Sequence, residues 1–185
     1  MVEINRLVDV FKRELRRPVK LESEFRAAGH ARVRFYSMPV RGAERPLKID
    51  FVEDVLIPKP SVRIRDGIRV YGAEDIYLQK VAAITGTRPQ SDAVGRSFQE
   101  GRHEARDAFD LYMLSRKIAP LHRFLSKAPA IYQKGMVHWY RTFSRHDLKL
   151  GVLDMEIYDR AFDVRDMIAH LEKEIRLFAK EIVKE

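Results

Sequence analysis

The hydrophobic period of this chain changes near Gly72, and that change restricts the fold more than any other feature of the sequence. Between Val19 and Tyr71 apolar residues recur at every second position in short runs, the spacing of strands whose side chains alternate between two faces. From Ala73 onward they recur three and four apart, the spacing of helices with one buried stripe. The layout is a small antiparallel or mixed sheet followed by a helical half, an α+β arrangement. The expected division is a sheet-containing portion over 1–85 and a helical portion over 86–185, with a soft boundary between Thr85 and Arg102 inside one compact unit.

A helix precedes the sheet. Leu7, Val8, Phe11 and Leu15 repeat at helical spacing, Lys12, Arg13, Arg16 and Arg17 occupy the other faces, and Pro18 ends it. VKLESEF reads as a strand. ARVRFYSMPV reads as a half-buried strand with Val33 and Phe35 on one side and Arg32 and Arg34 on the other. LKIDFV directs Leu47, Ile49 and Phe51 one way and Lys48, Asp50 and Val52 the other. In SVRIRDGIRVYG, Val62 and Ile64 mirror Ile68 and Val70 around Asp66-Gly67, a dipeptide suited to a tight hairpin turn.

Helical character begins at AEDIYLQKVAAI. TGTRPQSDAVGRSFQEGR reads as a structureless loop. HEARDAFDLYMLSRKI, PLHRFLSK and APAIYQKGMVHWYRTF then read as helices, with Met136, Trp139, Tyr140 and Phe143 as core and base stacking by Trp139 and Tyr140 as the lesser alternative. A last helix from about Asp163 spaces Val164, Ile168, Leu171, Ile175, Phe178 and Ile182 as a heptad seam. Such a seam packs on the chain's own helices more often than on another chain, though a homo-oligomer through it stays open.

Composition narrows the function. The chain has 185 residues, 45% hydrophobic and 34% charged, as in soluble globular proteins. No apolar run approaches the roughly 20 residues that span a bilayer, and charges interrupt the apolar positions at the N-terminus, unlike a secretion signal. A cytoplasmic location is the expectation. The absence of cysteine excludes disulfides, zinc-thiolate sites and thiol catalysis. None of the six histidines falls in HxH, HxxxH or HExxH spacing, and neither GxSxG nor a Walker-type GxxxxGK occurs. A net charge of +8 and a pI near 9.8 favour polyanionic partners such as RNA, DNA or nucleotides.

Three features could carry chemistry. Asp50 sits mid-strand between apolar neighbours, where a metal, a basic partner or plain exposure to water must compensate its charge. Asp54 lies further along on the same face, with Glu53 adjacent. Lys80 lies among apolar helical positions, from which a lysine can snorkel outward or hold a phosphate as a point charge. In GRHEARDAFDLYML, Asp107 and Asp110 share a helix face, and Arg106 stands four residues before Asp110 and can pair with it. The two carboxylates can also pair with Arg102, orient Lys80, or form an ordinary structural network.

In order, LKIDFVED, VYGAEDIYLQKVAAI, a variable loop and GRHEARDAFDLYML resemble the AbiEii/AbiGii abortive-infection toxin family of nucleotidyltransferase-like proteins, from about Glu22 to Leu125. Asp50, Lys80, Arg102, Arg106, Asp107 and Asp110 match the strand aspartate, the helical lysine and the Arg-x-x-x-Arg-Asp-x-x-Asp helix of that family in turn. The resemblance implies part of a polymerase-beta-like nucleotidyltransferase sheet, followed by helices, and transfer of a nucleotide from a nucleoside triphosphate to an RNA acceptor, for some members tRNA. It implies Asp50 as a magnesium ligand, Lys80, Arg102 and Arg106 as phosphate contacts, and Asp107 and Asp110 as groups that orient Lys80 or help activate the acceptor hydroxyl. It also implies a toxin–antitoxin role in phage defence, with an antitoxin or a complementary chain as partner.

The sequence departs from the family pattern in one respect. A Gly-Ser turn and an Asp-x-Asp pair, which supply two of the three metal ligands, are expected upstream of the strand aspartate, and this sequence contains no Asp-x-Asp. Its nearest substitutes are Glu22-Ser23-Glu24 and Asp154-Met155-Glu156. Magnesium gives up its waters only where several anionic oxygens converge. The expectation is a truncated or degenerate nucleotidyltransferase, inactive alone. The alternative is a non-catalytic basic module that binds nucleic acid or a protein.

Overall fold

A computed structural model of the chain describes residues 2–25, 32–53, 56, 57, 59–87, 89–91, 97–99 and 101–182. Among them it has seven helices and small antiparallel sheets. The residues group into two compact units, 1–59 and 60–185.

The first unit sets one helix against one face of a three-stranded sheet. Helix α1 (Val2–Leu15) precedes β1 (Lys20–Phe25), β2 (Val33–Met38) and β3 (Leu47–Val52), with β2 central and antiparallel to both neighbours. The core consists of Val8, Val19, Tyr36 and Met38, joined by Ile4, Phe11, Ile49 and Phe51. The helix therefore buries the Ile4-Val8-Phe11 stripe, and Leu7 and Leu15 remain exposed. The helix stops at Leu15, ahead of Pro18, because Arg16 turns into the left-handed region at φ 48°.

The face of β2 is the reverse of the sequence expectation. Arg34, Tyr36 and Met38 point inward, and Phe35 is exposed. Cross-strand chemistry decides this. Arg34 lies opposite Glu24 and pairs with it at 3.3 Å, while its Nη1 donates to Asn5 Oδ1 at 2.8 Å. A buried guanidinium with partners costs little, so the large Tyr36 and Met38 side chains take the core. The reading of β3 holds: Ile49 and Phe51 flank the core, and Asp50 faces the other way.

The second unit begins with a hairpin, β4 (Val62–Arg65) and β5 (Ile68–Tyr71), closed by Asp66 at φ 52° and Gly67 at φ 77°. Positive φ at both turn residues matches strand twist and explains the Asp-Gly pair. The register sets Ile64 opposite Arg69 and Arg65 opposite Ile68, so aliphatic residues do not mirror one another across the turn. Helix α2 (Ala73–Thr85) follows. The loop expected to be structureless contains a short hairpin, β6 (Pro89–Ser91) with β7 (Ser97–Gln99); residues 88, 92–96 and 100 lie outside the described residues.

Five further helices build the larger core: α3 (Ala105–Lys117), α4 (Leu121–Lys127), α5 (Ala130–Thr142), α6 (Arg145–Leu153) and α7 (Val164–Ile182). Tyr77, Leu111, Leu121, Leu125, Met136, Trp139, Met167, Leu171, Ile175 and Phe178 are buried together. At about 1.5–3 kcal/mol per fully buried large apolar side chain, this cluster dominates the stability of the unit. The α7 seam packs on the chain's own helices, as expected of it.

Helix α4 has no side-chain cap of its own, because Pro120 stands at its N-cap. Its first free N–H groups are satisfied from other helices. Ser115 Oγ of α3 accepts from the Leu121 N–H at 3.1 Å, and Glu174 Oε2 of α7 accepts from the His122 N–H at 3.1 Å. Glu174 also meets His122 Nδ1 at 2.8 Å, and Ser115 Oγ lies 2.8 Å from His170 Nε2.

Candidate functional site

The residues singled out in the second unit converge on the α2–α3 contact. Glu74 and Asp75 lie in the first turn of α2, where the helix dipole favours negative charge. Tyr77, Val81 and Ile84 of α2 are buried, which turns Lys80 toward α3 rather than into bulk water. At the other end, Gly86 takes φ 81°, a backbone conformation that favours glycine, and its N–H donates to Ala82 O in the last helical hydrogen bond.

Gly101 then brings α3 alongside. A Cβ on Gly101 would collide with the backbone of Ala83, Ile84 and Gly86. Arg102 N donates to Ala83 O at 2.8 Å, satisfying a carbonyl that the helix end leaves open. The close approach at Gly101 sets the start of α3, which carries Asp107 in its first turn, against the end of α2.

The result is a compact ion network. Lys80 Nζ lies 2.6 Å from Asp110 Oδ2 and 3.2 Å from Asp107 Oδ1. Asp107 sits in the first turn of α3 with its side chain only 4% exposed, and Arg102 Nη2 approaches its Oδ2 at 3.2 Å. That contact is an ion pair without hydrogen-bond alignment: the guanidinium hydrogen bond goes to Oδ1 at 3.4 Å, and Oδ2 accepts none. Lys80 is half-buried and Arg102 is largely exposed, at 27% and 63% of their side-chain surfaces. Two cations meet two carboxylates, so the cluster is formally neutral. The ammonium is held at a fixed place, as a point charge for phosphate requires.

One expected pair does not form. Asp110 pairs with Lys80, and Arg106, four residues earlier, is exposed with no ion-pair partner among the described residues. The ammonium approaches Asp110 from the neighbouring helix at short range, whereas an exposed i,i+4 pair gains only about 0.3–0.5 kcal/mol.

Asp50 belongs to the first unit. It is exposed on β3, opposite Phe35, and no described residue pairs with it. Exposure to water compensates its charge. Along β3 its same-face neighbours are Lys48 and Val52, and Asp54 lies outside the described residues. The Glu22-x-Glu24 substitute is occupied elsewhere: Glu22 accepts from Ser37 Oγ and pairs with Lys20, and Glu24 pairs with Arg34. Among the described residues no three Asp, Glu or His groups are placed to hold a metal ion. One exposed carboxylate does not fit a magnesium centre.

Gly101 was not among the residues expected to matter. Its signal is a glycine immediately before a charged helix start, where backbones approach closely. The Ser115–His170 and His122–Glu174 contacts also escaped, since residues about fifty apart carry no spacing pattern. Burial pushes the Glu174 carboxyl upward, but hydrogen bonds from the His122 side chain and N–H, with the charges of His122 and His170, hold it below the ordinary carboxylate value. Burial pushes the His170 imidazole down; Glu174 opposes this, and Arg116 and Lys173 reinforce it.

The family model of the nucleotidyl transferase AbiEii toxin, from a type IV toxin–antitoxin system, matches residues 2–184. The chain belongs to the AbiEii family. Two solved Helicobacter pylori structures share its fold. JHP933 aligns at 15% identity with a TM-score of 0.54, over 90% of this chain and 65% of that one. A candidate nucleotidyltransferase aligns at 15% identity with a TM-score of 0.51, over 90% of this chain and 69% of that one. This AbiEii-family chain thus spans 65% of the length of JHP933. No curated protein matches its sequence. No helix among the described residues is long and apolar enough to cross a membrane.

Proposed function

We propose that Lys80, oriented by Asp107 and Asp110, contacts the phosphates of a nucleoside triphosphate, that Arg102 and Arg106 extend this contact, and that the acceptor for the nucleotide is an RNA. The carrying observation is the Lys80 ammonium fixed by two α3 carboxylates, at 2.6 and 3.2 Å, in a chain of a nucleotidyltransferase family. Asp107 and Asp110 act as positioning residues: they hold the ammonium in one place, so less ordering is needed when phosphate arrives. Arg102 and Arg106, both exposed at the start of α3, add donors that suit phosphate oxygens.

We further propose that the chain alone does not transfer nucleotides. Asp50 pairs with no described residue, and among the described residues no group of carboxylates converges to hold magnesium. The same observation supports the second reading, a basic module that docks nucleic acid without catalysis. Charge of +8 fits that reading too.

Calorimetric titration with a nucleoside triphosphate tests the phosphate role. Lys80→Met removes the ammonium and keeps the stem, and should weaken binding about tenfold or more, since charged hydrogen bonds contribute about 1.5–3 kcal/mol. Equal affinity in a folded Lys80→Met protein sinks it. Incubation with magnesium, labelled nucleoside triphosphates and tRNA should give no transfer. Incorporation that disappears in Asp50→Ala would refute inactivity, and RNA affinity independent of salt would refute the basic-module reading.

A further inference from the structure

The β4–β5 hairpin is a sheet of two strands: among the described residues, neither strand pairs with a third. Two-stranded sheets are marginal in water, and an open strand edge presents unpaired N–H and C=O groups to any extended chain. The side chains raise the same question. Ile64 is 75% exposed and Ile68 66%, and Val62 and Val70 are exposed as well. The register sets Ile64 opposite Arg69 on one face and Ile68 opposite Arg65 on the other, so both faces mix aliphatic and guanidinium groups. Arg63, Arg65 and Arg69 are exposed with no ion-pair partner among the described residues, and the sole carboxylate of the hairpin is Asp66 in the turn.

The hairpin is also held at its base. Gly72 N donates to Ser61 O at 2.6 Å, and Ser61 N donates to Asp75 Oδ2 of α2 at 2.6 Å. Gly72 packs against Ser61 closely enough that a Cβ there would lie 3.1 Å from the serine side chain. The edge is therefore presented from the start of a helix rather than from a slack loop, which lowers the cost of docking.

We propose that this hairpin is an edge for strand addition by another protein, and that the added strand carries Asp or Glu interspersed with aliphatic residues. Main-chain hydrogen bonds along the edge supply register, the arginines on both faces select carboxylates, and the isoleucines and valines are covered by the aliphatic positions. A second copy of this chain fits poorly, because arginine would face arginine across the junction. RNA phosphates would pair with the guanidinium groups. They would leave the strand edge unpaired and the isoleucines bare, and Tyr71 is the one aromatic ring in β4 and β5 for a base to stack on.

Fluorescence anisotropy with the full chain and four labelled probes tests this. The probes are an extended valine–glutamate peptide, its valine–lysine counterpart, the acidic peptide N-methylated along its backbone, and a single-stranded RNA of equal charge. The acidic peptide should bind and the lysine peptide should not. N-methylation should weaken binding about tenfold or more, and so should the combined Arg63→Glu, Arg65→Glu and Arg69→Glu variant, several modest charge pairs being lost together. Ile64→Thr with Ile68→Thr is the companion variant should the charge reversal disturb folding by circular dichroism, and the same loss is expected of it. Any of four results overturns the proposal: equal binding of the lysine peptide, indifference to N-methylation, RNA bound as tightly as the acidic peptide with the same dependence on the arginines, or self-association abolished by the hairpin variant.

Discussion

Asp50 and Asp107 carry the same side chain in opposite circumstances. Asp107 lies in a helix start, 3% exposed, with Lys80 and Arg102 around it. Asp50 lies on the open face of a sheet, across from an exposed phenylalanine, with no partner among the described residues. Removing the first leaves the half-buried Lys80 with one carboxylate in place of two; the second costs the fold almost nothing to keep or lose. A carboxylate with no structural duty is free to serve a ligand, whereas a carboxylate bound into a network serves chiefly by fixing its neighbours. Family position alone does not distinguish these roles; burial and pairing do.

The comparison can be broken by measurement. The largest effect is expected for Asp107→Ala, about 1.5–3 kcal/mol of lost stability in denaturant unfolding, because the half-buried Lys80 ammonium loses one of its two carboxylates. A loss below about 0.5 kcal/mol would make Asp107 as dispensable as a surface group. Gly101→Ala should cost about 2 kcal/mol, because its methyl group meets the backbone at the end of α2 and one of the two helices must shift. An unchanged midpoint would show that the α2–α3 approach is slack.

A smaller effect is expected from pH. The His170 imidazole is held below its ordinary value of 6.5, so the fold prefers it neutral. Below about pH 6.5 the unfolded chain binds the proton more readily, and stability falls as pH drops from there toward the folded-state value. The Glu174 carboxyl, held below its ordinary value of 4.5, contributes stability above that value and loses it at still lower pH. His170→Asn should flatten the first of these slopes and leave the second; a slope that persists from pH 7 to 5 assigns it to another group. The smallest effect belongs to Asp50→Ala, within about 0.5 kcal/mol of the parent. A larger loss would place a structural partner on that face.

Much of this fold was legible in the order of residues, and the failures have physical causes. The alternation in β2 was read correctly as a strand, but its polarity was inverted, because a pattern of Arg and Val does not disclose that Glu24 and Asn5 will receive Arg34. Helix α6 was not singled out, although Ser144 accepts from the Asp147 N–H, a cap visible as Ser-x-x-Asp; Gly151 in its interior disguised it. At the site, the shared face of Asp107 and Asp110 followed from helical spacing. Their choice of Lys80 over Arg106 did not, since it depends on a helix twenty-seven residues away in the chain. Local periodicity gives elements and faces. Partners come from tertiary approach, which here includes the close contact at Gly101.

The borrowed caps on α4 have a consequence for the order in which this protein can be made. Seven residues are too few for a helix to persist unaided in water, where about 12–15 are marginal even in favourable sequences. Glu174 lies 52 residues downstream of His122. On the ribosome, α4 must therefore wait, its first amides solvated, until the closing helix has emerged and docked. Any shortening of the chain ahead of Glu174 should melt a segment far upstream of the cut.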